Sequence, residues 1–179
     1  MKTQETKWAI DPTHSKVAFK VKHLMISNVL GSFREFDGAV ETEGDDFSTA
    51  HISFSLNTSS IDTEVADRDA HLKSVDFFDA ENYPIISFSG NGLKDLGDDM
   101  YELTGDLTIK EVTKPVALSV EFGGIGADPW GNVKAGFSIA GKINRKDFGL
   151  SWNATLETGG VLVGEEVKIS GDVELVKVS

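Results

Sequence analysis

The sequence predicts an all-β fold: a single antiparallel β-barrel domain over residues 1–179, soluble, with a short helical insertion at about residues 64–78. Three observations carry this. Apolar residues recur with a period of two, which places them on one face of a strand. Turn-forming clusters such as Gly44-Asp45-Asp46, Gly97-Asp98-Asp99 and Asp128-Pro129-Trp130-Gly131 punctuate the chain at short intervals. Glycines fall inside the strands, at Gly38, Gly90, Gly105, Gly136, Gly141 and Gly171. A strand glycine is costly unless the sheet bends or another group comes close. Repeated bending points suggest closure into a barrel. Ordinary bulges in a β-sandwich are the competing reading.

Val17, Phe19 and Val21 alternate with Ala18, Lys20 and Lys22. Ile52, Phe54 and Leu56 alternate with Ser53, Ser55 and Asn57. Leu103, Gly105, Leu107 and Ile109 alternate with Thr104, Asp106, Thr108 and Lys110, and Val116, Leu118, Val120 and Phe122 with Ala117, Ser119 and Glu121. The last strand sets Val167, Ile169, Gly171, Val173 and Leu175 against Lys168, Ser170, Asp172 and Glu174. Weaker patterns lie at residues 31–41, 85–91, 133–143 and 150–156. About nine strands at short spacing, the later ones long and joined by short turns, favour an up-and-down meander.

One segment breaks the rhythm. Residues 64–74 show no β alternation and read as a short helix with Val65, Leu72 and Val75 inward. Phe77, Phe78 and Tyr83-Pro84 follow as an aromatic connection. This insertion is expected to lie across one barrel end as a lid.

Composition narrows the function. With a net charge of −12, the chain repels nucleic-acid phosphate. The one dense basic stretch, Lys16, Lys20, Lys22 and His23, alternates with apolar residues and reads as a solvated strand face. No cysteine is present, which excludes disulfides, thiolate metal sites and a cysteine nucleophile. No apolar run is long enough for a spanning helix, and no secretory leader is visible, so a cytoplasmic location is expected (periplasmic if the chain has been trimmed).

Catalytic and metal motifs are sparse. His14, His23, His51 and His71 show no zinc-type spacing. His14 and Ser15 are adjacent, and neighbours on a strand point to opposite faces. Gly90-Asn91-Gly92 and Gly123-Gly124-Ile125-Gly126 open no helix and read as turns. Arg145 and Asp147 share a face if extended, either as an ion pair or with Arg145 at a barrel mouth. Arg68 and Asp69 pose the same choice. No metal, cofactor or catalytic residue is expected.

Eleven phenylalanines and three tryptophans remain. Eight strands make a barrel just wide enough to be filled by side chains or to hold one small ligand. Periodicity alone does not choose between them.

Ordered motifs add to this. Trp8-x-Ile10-Asp11-Pro12-x-His14-Ser15-x-Val17-x-Phe19-x-Val21-x-His23 is followed by Gly31-x-Phe33. Ser60-Ile61-Asp62-Thr63 and Arg68-Asp69-x-His71-Leu72-x-Ser74-x-Asp76-Phe77-Phe78-Asp79 come next, then Tyr83-Pro84 with Phe88. Gly105-Asp106-Leu107-Thr108-Ile109, Val112-Thr113-Lys114-Pro115-Val116, Asn144-Arg145-x-Asp147-Phe148-Gly149 and Val163-Gly164-x-Glu166-Val167-x-Ile169 complete the set. Over residues 8–175 the chain resembles the YceI-like family. The resemblance implies an eight-stranded lipocalin-like barrel with a helical insertion, holding a polyisoprenoid or similar long-chain amphiphilic lipid, and often a homodimer.

On that expectation Phe19, Val21, Phe33, Phe36, Phe54, Leu56, Phe77, Phe78, Phe88, Leu107, Phe137 and Trp152 line the ligand site. Arg68, His71 and Arg145 are the head-group candidates. A ten-residue strand is roughly 34 Å long and, tilted by about 40°, spans a barrel roughly 25 Å tall. Burial contributes about 0.8 kcal/mol per methylene, or roughly 16 kcal/mol for about twenty. Association costs about 4–15 kcal/mol, so an apolar chain alone can support binding. A lipid-modifying enzyme predicts a titratable group deep in the lumen. A stress-response interaction protein predicts a filled barrel.

Overall fold

The computed structural model describes residues 4–154, 156 and 160–178. Its strands are β1 (Glu5–Ile10), β2 (Lys16–His23), β3 (Ser27–Phe33), β4 (Phe36–Glu43), β5 (Asp46–Asn57), β6 (Ile61–Asp62), β7 (Ile85–Gly97), β8 (Met100–Ile109), β9 (Val112–Ala127), β10 (Val133–Asn144) and β11 (Val163–Lys177). One α-helix, α1, covers Ala66–Lys73.

All pairings are antiparallel, and β1 pairs with both β4 and β11, which closes the sheet. The register explains why eleven strands make an eight-stranded barrel. Both β1 and β2 run against β11, Ile10 opposite Leu175 and Lys16 opposite Asp172. They are one barrel strand broken by the 3-10 turn Pro12–His14. In the same way β3 and β4 break at Arg34-Glu35, and β5 and β6 break at the turn Thr58–Ser60. With β7 to β11 the result is an up-and-down barrel of eight antiparallel strands.

The sequence expectations meet this structure unevenly. β1 was not anticipated, although Thr6, Trp8 and Ile10 are its buried residues. The strand expected at 150–156 is absent among the described residues: Leu150–Ala154 are irregular and Thr155 lies outside them. The reason is local. Asn153 accepts from its neighbours' amides at Ala154 and Val163, holding the backbone in a side-chain-bonded turn. The two glycine-rich stretches are bulged strand, not turns. Gly92 (φ +76°) sits at a register shift in β7, and Gly124 (φ +112°) lies in β9 opposite the shift at Gly136-Phe137.

Strand glycines also make room for rings. A Cβ on Gly105 would lie 2.4 Å from the Phe88 ring and 2.5 Å from the Ser89 carbonyl oxygen. The bulky neighbour folds over the bare backbone, which pins the register of paired strands.

Candidate functional site: an apolar lumen with a cationic mouth

The core divides into two clusters along the barrel. One is built around Trp8, Phe47, Leu93, Leu103, Val120 and Phe137, the other around Phe33, Leu56, Ile61, Ile86, Ile109, Phe148 and Leu150. At the first end four rings interlock. Phe47 lies 5.0 Å from Trp8, 5.6 Å from Phe122 and 4.9 Å from Phe137. The Trp8 indole N–H donates to Thr42 Oγ1 at 3.0 Å, so the polar edge of the plug is satisfied.

Between the clusters is a cavity of about 430 Å³. Pockets for small ligands commonly run about 300–1,000 Å³. Its wall comes from every long strand: Phe19 and Val21, Val40, Ile52 and Phe54, Phe88, Leu107, Val116 and Leu118, Ile139, Val167 and Val173. Away from the mouth the lining residues are apolar apart from Ser53 and Ser170, so the lumen offers dispersion contact and almost no hydrogen bonds.

Eleven of the twelve expected wall residues line this cavity: Phe19, Val21, Phe33, Phe54, Leu56, Phe77, Phe78, Phe88, Leu107, Phe137 and Trp152. Phe36 does not. Its ring is taken up by packing on Phe54, 6.2 Å between centroids. The helical insertion lies at the end away from the aromatic plug. Leu72 reaches the cavity and Phe78 meets Phe33 at 6.0 Å, edge to face. Val65 and Val75, expected to point inward, are exposed. Val65 precedes α1 in extended conformation (φ −130°), and Val75 follows its end at Ser74, so neither shares the helical face of Leu72.

Charge is concentrated at the same end. Lys22, His23, Arg68, His71 and Arg145 contribute to the lining, and no carboxylate does among the described residues. Arg68 is positioned by Thr63: Nε donates to its Oγ1 and an Nη to its carbonyl, each at 2.8 Å. Asp69 accepts from the Thr63 amide at 2.8 Å, fixing the start of the insertion. His71 sits 2.9 Å from Asp76 and packs edge to face on Trp152.

Arg145 behaves differently. Its turn is the 3-10 helix Arg145–Phe148, not the extended segment that would align it with Asp147. Its buried guanidinium donates to the carbonyls of Gly164 (2.8 Å), Leu150, Trp152 (2.9 Å) and Val163 (3.3 Å). Burial pushes its pKa down, and Glu165 opposes that. The side chain is a strut under the mouth, with most of its donors already used. His23 and Lys22, in contrast, line the mouth without having been singled out as site residues. The inward parity of His23, two residues beyond Val21, was the available signal.

Asp11, His14 and Glu174 bring three metal-type donors together on the surface. Lys134 bridges the two carboxylates, 3.0 Å from Asp11 and 2.9 Å from Glu174. The cation there is an ammonium group from the chain itself.

A closed antiparallel barrel around a blind apolar lumen, open beside a helical insertion, is the architecture of proteins that enclose a small apolar guest. The chain belongs to the YceI-like family, whose domain model matches residues 8–175. A UPF0312 protein of Staphylococcus aureus strain N315 is 40% identical over 170 residues, 94% of this chain and 96% of the relative. In fold, BcnA of Burkholderia cenocepacia superposes with a TM-score of 0.80 at 24% identity, over 92% of this chain and 98% of that one. A polyisoprenoid binding domain from Saccharophagus degradans superposes with a TM-score of 0.67 at 13% identity, over 96% and 98%.

Proposed function

We propose that this protein binds and carries one long apolar lipid, a polyisoprenoid or a chain of similar shape, with its tail in the lumen and its head at the cationic mouth. The observation that carries the reading is the cavity: its wall is apolar along the barrel and its charged groups are confined to one end. A tail gains by burial along the whole wall. Lys22, His23, Arg68 and His71 favour an anionic or acceptor-rich head and set the direction of entry. The polyisoprenoid binding domain of similar fold supports the choice of ligand class.

Catalysis is the weaker reading. An acid–base enzyme acting on the lipid chain needs a titratable group beside the reacting carbons. Beyond the mouth, the lining residues are apolar or are Ser53 and Ser170. Incubation with a polyprenyl diphosphate, followed by extraction, separates the two. A carrier returns the lipid intact and bound, whereas an enzyme returns a changed product.

A further inference from the structure

The β2–β3 hairpin ends in Leu24-Met25-Ile26, and these side chains are exposed by 37%, 55% and 81%. Leu30, on the outer face of β3, is exposed by 66%. Leu24 and Met25 both have positive φ (54° and 60°), and the Ile26 amide donates to the His23 carbonyl. That is the geometry of a primed hairpin turn, which favours Asn-Gly. Two large apolar residues there are conformationally costly, and nothing in the barrel covers them.

The surrounding charge is equally unusual. Acidic residues make up 29 of the 179, yet none occurs between Asp11 and Glu35, a stretch that carries Lys16, Lys20, Lys22 and Arg34. Across the outer face Leu30 lies opposite Lys20, Lys20 opposite Lys168, and Lys168 opposite Lys142. Like charges directly opposite one another destabilise a sheet, and among the described residues none of these three lysines has an acidic partner within ion-pair distance. Glu165 on the neighbouring strand is held by Lys146 at 2.7 Å. The hairpin also borders the cavity, since His23 and Val29 line it and the Leu24 amide donates to the Leu162 carbonyl.

From these features we infer that the β2–β3 hairpin is a membrane-docking finger that sets the cavity mouth on an anionic lipid surface. Leu24, Met25 and Ile26 enter the acyl boundary. Lys22 follows at roughly 10 Å along the strand, in reach of a head-group layer roughly 5–8 Å deep. Lys20, Lys168 and Lys142 face the same surface from the flank. An apolar tip and a basic collar are the two signals that stable but reversible docking needs. Asp62 and Glu64 border the same outer face as Lys20, Lys142 and Lys168, and Glu166 stands two residues from Lys168; Arg34 holds Asp62 at 2.6 Å, whereas Glu64 and Glu166 oppose docking. The inference goes beyond the carrier reading and is tested apart from it.

Sedimentation with vesicles of phosphatidylcholine, and with vesicles rich in phosphatidylglycerol, tests it without requiring any ligand in the lumen. The wild-type chain is expected to pellet with the anionic vesicles at low salt and to be released as salt rises. Met25→Asn/Ile26→Ser, in which the asparagine suits the positive φ of position 25, is expected to bind at least tenfold more weakly with an unchanged melting temperature. Lys20→Gln/Lys22→Gln removes about fivefold per lysine. A wild-type chain that stays in the supernatant with both vesicles overturns the inference, as does a tip variant that binds like wild type. A solution dimer that the tip variant dissolves, with no vesicle binding, assigns the tip to a second copy and also overturns it. Vesicle binding by a protein that takes up no lipid would leave the docking intact and remove the carrier reading.

Discussion

His71 meets Trp152 edge to face, ring centroids 4.7 Å apart and planes at 86°, and this contact ties the helical insertion to the irregular segment after β10. Phe77 completes the cluster, 5.1 Å from His71 and 5.4 Å from Trp152. All three line the mouth of the cavity. They hold the opening more than they hold the sheet. Trp152→Ala should therefore speed ligand release several-fold, since an aromatic pair contributes about 0.5–1.5 kcal/mol. Stopped-flow release of a fluorescent long-chain lipid measures this. Unchanged release would show that the cluster does not gate the lumen.

Arg145 should matter for stability before it matters for binding. Removing its guanidinium takes the side-chain donor from the carbonyls of Gly164, Leu150 and Trp152 around a buried site, while the Val163 carbonyl keeps the Asn153 amide. Each stranded polar group costs about 1–3 kcal/mol, so Arg145→Ala should lose at least about 3 kcal/mol in urea unfolding. Arg145→Lys should recover little, because an ammonium cannot reproduce the fork. Normal stability with weakened lipid binding would make Arg145 a head-group ligand instead.

Filling the lumen should abolish carriage and spare the fold. Val116 lies in the wall and packs on both core clusters. Val116→Trp projects a ring into the cavity. If it displaces roughly three methylenes at about 0.8 kcal/mol each, affinity for a polyprenyl lipid should fall more than tenfold. Equilibrium binding by intrinsic fluorescence checks this, with circular dichroism confirming the barrel.

The Asp11 cluster predicts an acid limit to stability. Hydrogen bonds from Thr13, His14 and Lys134, in that order of effect, hold the Asp11 carboxyl well below the usual carboxylate range. A depressed folded-state value means the stabilisation is complete above the unfolded value of about 3.9 and is lost as pH falls further. Glu174 and then Asp11 raise Lys134, so its contribution is complete below the ordinary lysine value of about 10.4 and is lost above it. Thermal melts between neutral pH and about pH 2 should steepen on the acid side for wild type and flatten for Asp11→Asn. Equal acid slopes would remove the cluster from the account.

How far the sequence led depends on what each segment's neighbours do. β8 and β11 were legible because alternation over many residues needs only the strand itself. β1 was harder, since Thr6 is buried among apolar partners and the strand is short. The joining of β1 with β2, and of β3 with β4, depends on pairing with β11 and on β1–β4 contact far apart in sequence. The hollow could not be read at all. Phe54 lines the cavity and Phe36 packs on it, yet both are phenylalanines on alternating strands. At the mouth Arg68 and His71 were legible as polar residues in the insertion. The strut role of Arg145 was not, because its four acceptors are backbone carbonyls that any residue supplies.

Native mass spectrometry of the purified chain, coupled to organic extraction, tests the central claim most directly. One long apolar lipid per barrel is expected, recovered chemically unchanged, or one taken up stoichiometrically when a polyprenyl lipid is offered to the empty protein. A chain that is empty as purified and stays empty when offered polyprenyl and fatty-acid ligands would contradict it.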